Sequence, residues 1–378
     1  MFRLLSISFK CQTGNGLLED SVKGVEAFLG EGGFGVVAKC RNTITNKFVA
    51  IKVNKNAPEI YHQARQEIEI LKQLRCLDPE TCNIVQWNGY FFLKMNICLN
   101  FELLDLSLYH YMEGTPEKTL PITEVKDVLY QLSIALSHLS SIGIVHADLK
   151  PDNVMVVDRH QKPLRVKLID FGLASRVSDC QPGMCVQTTW YRAPEVCLYS
   201  EFNEAIDMWS LGLTAAELAV GYPLYPGNMD YDVLSFIIAT QGQLPDHTGC
   251  RPEDTRDFWL SSLDDLEELM EVNRGHNSDH GLLVDLIKKM MHLDQDQRIK
   301  PQEVLQHPFL TGSLPQNSST CVWMAISFRQ YIPKKPGRYG LKVTLPRHML
   351  GNCRSTQVGL QMPPPRDQPG ETGGLRDD

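Results

Sequence analysis

Apolar positions recur with a period of two through the first hundred residues and with a helical period through much of the remainder. From about Val25 to Phe101, short runs rich in Val, Ile and Phe alternate with polar residues, which predicts strands. One stretch interrupts them. Between Pro58 and Arg75, residues Ile60, Ala64, Ile68, Leu71 and Leu74 share a stripe at about 100° per residue, which predicts a helix. From about Pro121 to Phe309 the pattern is mostly helical. There Val125, Val128, Leu129, Leu132, Leu136 and Leu139 mark the buried stripe of a helix capped by Thr123 and running to about Ser140. After Leu310 periodicity fades as Pro, Gly, Ser and Arg rise, and Met362 to Asp378 is expected to be disordered. The chain therefore reads as α+β with two lobes. An irregular leader (1–22) precedes a small β-rich lobe (about 23–103), a larger helical lobe (about 104–310) and a low-order tail (311–378). A cleft between two lobes is a common ligand site.

Charge narrows the class. Acidic residues outnumber basic ones by 45 to 37, a formal charge of −8. Binding a phosphate backbone needs clustered cations, so no direct nucleic-acid role is expected. Eleven cysteines at irregular spacing form no C-x-x-C pair, which reads as reduced intracellular thiols. Met1–Phe9 is too short for a secretory signal, and no run approaches the ~18 apolar residues of a membrane span. The expectation is a protein of nucleus or cytoplasm, without membrane contact and monomeric.

The chemistry starts at Gly30-Glu31-Gly32-Gly33-Phe34-Gly35-Val36-Val37, which fits G-x-G-x-x-G-x-V. Glycine lets a backbone approach phosphates closely. Strand-forming residues follow this loop, not the helix of a dinucleotide fold. The next strand carries Val49-Ala50-Ile51-Lys52. Ala50 and Lys52 share a face: Ala50 leaves room for a flat base and Lys52 can reach toward phosphates. Glu67 falls within the buried stripe of the predicted helix, while Glu69 points away. A buried carboxylate needs a partner, and Lys52 is the natural one.

Further on stands His146-Ala147-Asp148-Leu149-Lys150-Pro151-Asp152-Asn153, then a strand over Val154–Val157, a turn, and a return strand over Leu164–Ile169 ending at Asp170-Phe171-Gly172. An antiparallel pair makes Asn153 and Asp170 neighbours although they lie 17 positions apart. One amide oxygen and one carboxylate suit Mg²⁺, which takes few protein ligands alongside phosphate oxygens. Asp148 is placed to accept a bond from a substrate hydroxyl, and Lys150 to neutralise charge on a transferring phosphoryl group.

With these motifs in this order, the chain resembles the eukaryotic protein kinases from about Val25 to Leu310. The resemblance implies the bilobal kinase fold and transfer of the γ-phosphoryl group of ATP, with Mg²⁺, to Ser or Thr of protein substrates. It implies that Gly30, Gly32 and Gly35 cover the phosphates, with Glu31, Gly33, Phe34, Val37 and Ala50 lining the nucleotide. Lys52, paired with Glu67, would hold the α- and β-phosphates. Asp148 would be the base, with Asn153 and Asp170 on the metal. Phe101 would be the gatekeeper, and backbone groups of Glu102 and Leu104 would bind adenine. Glu195 of Ala193-Pro194-Glu195 would pair with Arg298, and Thr188 would contact Asp148 and Lys150. Lys150 itself is similar to the serine/threonine class.

Trp190-Tyr191-Arg192-Ala193-Pro194-Glu195 is similar to the branch of cyclin-dependent, mitogen-activated and dual-specificity tyrosine-regulated kinases. That branch implies proline-directed specificity with Arg192 as its marker. His146–Pro151, Ala205–Gly212 and Pro223-Leu224-Tyr225-Pro226-Gly227 resemble the homeodomain-interacting protein kinases, which implies transcription-related partners. Three departures stand out. Ala147 replaces the arginine that grips a loop phosphate in many kinases. Cys185 occupies the place of the subfamily's activating tyrosine, seven residues before Arg192, and Thr189 replaces an arginine. The long tails of the subfamily are nearly absent. A loop competent without tyrosine phosphorylation is the expectation, with Ser175, Ser178, Thr188 and Thr189 as remaining acceptors, and Cys180 and Cys185 as ordinary thiols. The alternative is a scaffold that binds nucleotide and partners without transfer.

Overall fold

The computed structural model describes residues 11–13, 16–18, 22–42, 45–242, 260–275 and 277–312. The low-order tail expected beyond 312, and the basic stretch from Arg329 to Lys342 within it, lie outside the described residues.

The first lobe is an antiparallel sheet with one helix packed on it. Its central strands are β3 (Val22–Glu31), β4 (Gly35–Asn42), β5 (Phe48–Asn54), β6 (Trp87–Leu93) and β7 (Asn96–Glu102), and α1 spans Pro58–Leu74. Two short strands, β1 (Cys11–Thr13) and β2 (Gly16–Leu18), extend the sheet to the order β2-β1-β6-β7-β5-β4-β3. The leader was expected to be irregular; β1 and β2 correct this. An open edge of β6 offers unpaired backbone groups, and a nearby segment gains ladder bonds by pairing with it.

Inward side chains of β4, β5, β6 and β7 form a small core of Ala38, Cys40, Val49, Ile51, Phe91 and Cys98. In α1 the buried face is Ala64, Glu67, Ile68, Ile70, Leu71 and Leu74. Ile70 replaces the expected Ile60, which is half-buried in the first turn, where the helix has not yet met the sheet.

The second lobe is built on two long helices. These are α3 (Ile122–Ser141), after the short α2 (Leu108–Glu113), and α5 (Ala205–Val220), after the one-turn α4 (Pro194–Cys197). Residues Val125, Val128, Leu129, Leu132, Leu136 and Leu139 of α3 are all buried. Thr123 lies inside this helix and Pro121 takes the cap position, its ring fixing a φ suited to a helix entrance. In α5 nearly every side chain is buried, which suits a helix surrounded by others. Around it stand α6 (Asp230–Gln241), α7 (Asp265–Arg274) and α8 (Ser278–Met290), closed by α9 (Pro301–Val304) and α10 (Pro308–Thr311).

Between the lobes lie β8 (Ile144–Val145), β9 (Val154–Val156), β10 (Val166–Leu168) and β11 (Ser175–Arg176). β9 and β10 form the expected hairpin, with Val154 opposite Leu168. Among the described residues no helix is long and apolar enough to cross a membrane.

Candidate active site

β5 and α1 bring the first pair of charges together. Lys52 pairs across the ladder with Val37. Its ammonium lies 3.0 and 3.1 Å from the two carboxylate oxygens of Glu67 and 2.9 Å from Asp170 Oδ1. Burial alone would lower the Lys52 pKa, but the charges of Asp170 and Glu67 outweigh it and hold the ammonium above the ordinary lysine value. For Asp170 burial pushes upward, the Lys52 charge pulls downward, and the carboxyl ends below its usual range. Gln63 of α1 also donates to the Gly172 carbonyl at 3.0 Å, and Arg176 to Gln73 Oε1 at 3.2 Å. The helix is thereby tied near its start to Gly172 and near its end to Arg176, four residues further on.

The turn from β3 to β4 holds Gly30, Glu31, Gly32, Gly33, Phe34 and Gly35. A Cβ on Gly35 would fall 2.2 Å from the Val53 carbonyl oxygen, so the strand contact itself demands glycine there. A Cβ on Gly30 or Gly32 would meet nothing within 4 Å. Internal packing does not require those glycines, which leaves room for a group from outside the chain. The loop is held from below: Lys55 donates to the Phe34 carbonyl through its backbone at 2.9 Å and to the Gly32 carbonyl through its ammonium at 3.1 Å.

The segment after α3 is fixed by Asp207 of α5. Its carboxylate accepts from the backbone N–H groups of His146 at 2.7 Å and Ala147 at 2.8 Å. This holds Ala147 at φ +62°, a conformation L residues rarely adopt. His146 Nε2 lies 2.9 Å from the Ile169 carbonyl oxygen, joining this segment to the approach of Asp170.

Asp148 sits inside a ring of donors. Its Oδ1 accepts from Thr188 Oγ1 at 2.7 Å and from Thr188 N–H at 3.1 Å. Its Oδ2 accepts from Asn153 Nδ2 at 2.8 Å and Lys150 Nζ at 3.1 Å. Lys150 also donates to Thr188 Oγ1 at 2.6 Å. The site residues expected from the sequence are thus gathered in two groups, Lys52–Glu67–Asp170 and Asp148–Lys150–Asn153–Thr188.

Asn153 and Asp170 were expected to hold Mg²⁺, and their chemistry fits a hard cation. Asn153 spends its amide nitrogen on Asp148, on the carboxylate and on the backbone carbonyl, both at 2.8 Å. That orientation leaves Oδ1 as its unengaged donor atom. Asp170 adds an ionised, part-exposed carboxylate. Two oxygen ligands match a metal that arrives with phosphates.

At the adenine end the backbone bonds of Glu102 narrow what it can offer. The N–H of Glu102 donates to the Gln86 carbonyl at 3.0 Å. Of its two backbone groups, this leaves the Glu102 carbonyl to offer a base. Phe101 is half-buried and Leu104 buried.

Elsewhere Arg298 donates to both oxygens of Glu195 at 2.7 and 3.1 Å. Arg192 donates to the carbonyls of Val186 at 3.0 Å and Gln187 at 2.8 Å and forms an ion pair with Asp230. Cys180 and Cys185 are free thiols, Cys185 exposed.

Sequence reasoning missed Tyr191 and Glu217. The Tyr191 hydroxyl donates to buried Glu217 on α5. Burial, opposed by this hydrogen bond, pushes the Glu217 carboxyl from 4.5 up to about 7. The folded state thus binds this proton more tightly than the unfolded chain does. Its contribution is full below the unfolded value and is lost as pH rises toward about 7. Glu217→Gln keeps the acceptor for Tyr191 and removes the ionisation. Denaturant titration should find the variant more stable than wild type by about 2–3 kcal/mol at pH 8, with little difference near pH 4.

Comparison with known proteins places this geometry. Residues 24–310 match the protein kinase domain. The chain belongs to the protein kinase family. It is similar to homeodomain-interacting protein kinase 2 of Mesocricetus auratus, 38% identical over 325 residues and 75% of this chain. It is also similar to homeodomain-interacting protein kinase 1 of Caenorhabditis elegans, 36% identical over 75% of the chain, and to kinase 4 of Homo sapiens, 34% identical over 80%. The matches span 28%, 39% and 57% of those relatives' own lengths.

Proposed function

We propose that this chain is an ATP-dependent protein kinase acting on serine and threonine hydroxyls. The observation that carries the reading is the cluster around Asp148. Thr188, Lys150 and Asn153 fix the carboxylate from three sides, within the same cleft as the Lys52–Glu67–Asp170 triad. A substrate hydroxyl donating to Asp148 is oriented for attack, and Asp148 takes its proton. Lys150 offsets charge on the transferring group, and Lys52 binds the phosphates nearer the nucleoside. Mg²⁺, held by Asn153 and Asp170, would neutralise phosphate charge. Glu67 acts through Lys52.

The finer reading follows the relatives. Arg192 marks a preference for proline after the acceptor. Homeodomain-type, transcription-related proteins are the class of partner that the relatives' names suggest, with nucleus or cytoplasm as the place of action. The loop works without a phosphotyrosine. This is supported by Cys185 at the tyrosine's position and by Arg192, whose charge Asp230 already neutralises.

Incubation with labelled ATP and a generic basic protein tests the main reading. Transfer by wild type and none by Asp148→Asn is expected; nucleotide binding without transfer would make the chain a scaffold. Treatment of the active enzyme with a tyrosine-specific phosphatase should leave its activity unchanged, and loss of activity on that treatment would sink the loop hypothesis.

A further inference from the structure

Lys167 stands in the middle of β10, and its side chain is only 1% exposed. Its ammonium lies 2.6 Å from Glu80 Oε1 and 2.7 and 3.0 Å from the two carboxylate oxygens of Glu102. Buried charge is costly unless well paired, and an apolar residue of similar volume often serves a core better. A cation kept in this position therefore calls for a reason beyond packing.

The reason lies in what it joins. On the ATP-site reading, Glu102 is a residue whose backbone carbonyl would meet the adenine. Its Oε1 also accepts from the Gln86 N–H at 2.6 Å, and its own N–H returns to the Gln86 carbonyl at 3.0 Å. The neighbouring Val85 N–H donates to the Leu168 carbonyl at 3.0 Å, and Leu168 N–H donates to the Asn83 carbonyl at 2.8 Å. Lys167 and Leu168 on β10, residues 83–86 and Glu102 thus close into one hydrogen-bonded circuit. β10 then runs directly through Ile169 to Asp170 at the phosphate end. Glu80 forms an outer leg, held at 2.9 Å by Arg165 as well. Lys167 and Arg165 together keep its carboxyl below the usual range.

We propose that Lys167 is a positioning residue that sets Glu102 and Leu104 relative to Asp170 and thereby sets the affinity for adenine nucleotide. A nucleotide has a bounded reach from base to phosphates. The chain must hold its base-binding backbone and its phosphate-binding side chains at a matching distance, and the Lys167 circuit is a direct polar link between them. The inference rests on the reading of this cleft as an ATP site.

Calorimetric titration of ATP into the full chain tests it. Lys167→Met should weaken ATP by about tenfold or more while circular dichroism stays that of wild type. Glu80→Gln should cost about threefold or less, because the Glu102 leg remains. In turnover, KM for ATP should rise by the same factor as the affinity falls. kcat at saturating ATP should stay within about twofold of wild type. A merely structural defect would lower the active fraction, and so kcat, without moving KM. Should Lys167→Met fail to fold, Glu102→Gln, which keeps an acceptor for Gln86 N–H, carries the same expectation. ATP affinity within about twofold of wild type in a folded Lys167→Met or Glu102→Gln variant overturns the proposal. A wild type that binds ATP but transfers nothing defeats the kinase reading alone, and the affinity comparison still decides the role of Lys167. A wild type that binds no ATP defeats both.

Discussion

Asp148→Asn is expected to lower kcat by about 10³-fold while KM for ATP changes by less than about threefold. The substitution keeps the shape of the side chain and removes its ability to take a proton. Thr188 and Lys150 both donate toward this carboxylate, and an amide nitrogen in that ring would face donors on one side. The nucleotide-facing residues Lys52, Glu67 and Asp170 belong to the other cluster and are left as they are. A steady-state assay varying ATP and peptide separates the two parameters. A loss confined to KM would place Asp148 in binding and not in proton transfer. Urea unfolding is the control, with a change of about 1 kcal/mol expected for the lost Lys150 ion pair.

The largest effect on stability is expected at Arg298. Its side chain is fully buried and donates to both oxygens of Glu195, to the Ala205 carbonyl at 2.8 Å and to the His292 carbonyl at 3.1 Å. Its guanidinium also lies 5.2 Å from the Trp209 ring centre. Arg298→Met leaves the buried Glu195 carboxyl with no cation opposite it. Removing one partner of a buried ion pair costs about 3–5 kcal/mol, and equilibrium denaturation should read a loss of that size. Because Glu195 lies in α4, directly after the Thr188–Ala193 segment, activity should fall with it. The double variant Glu195→Gln with Arg298→Met should recover part of the loss, since it removes the stranded charge. A loss under about 1 kcal/mol for Arg298→Met alone would show that the pair is not what anchors this segment.

Most of the site could be read from the sequence because its residues lie on, or just beside, regular elements with a clear period. Glu67 was legible from helical spacing, since a carboxylate on an apolar stripe announces a buried partner. Asn153 and Asp170 were legible because a short hairpin forces its two ends together. Lys167 was not legible in this way. It lies in Val166-Lys167-Leu168, a strand buried on every side. A cation inside such a run was the available signal, but its carboxylates come from segments 65 and 87 positions away. Tyr191 and Glu217 escaped for the same reason, as their bond crosses from the 3₁₀ turn Thr189–Tyr191 to α5. The strand at 11–13 was missed because edge pairing draws on backbone groups, which every sequence has. The exchange of Ile60 for Ile70 on α1 shows the usual limit of a period: it fixes a face but not where that face first meets the sheet.

The central claim is that this cleft transfers phosphoryl groups to hydroxyls, with Asp148 and Asp170 as they stand. The most direct test is incorporation of labelled phosphate from ATP, with Mg²⁺, into a serine- and threonine-containing peptide, followed by phosphoamino-acid analysis. The account predicts incorporation that is linear from the first minutes, recovered as phosphoserine and phosphothreonine and absent with Asp148→Asn. Stoichiometric ATP binding with no incorporation by the folded wild-type chain would contradict it.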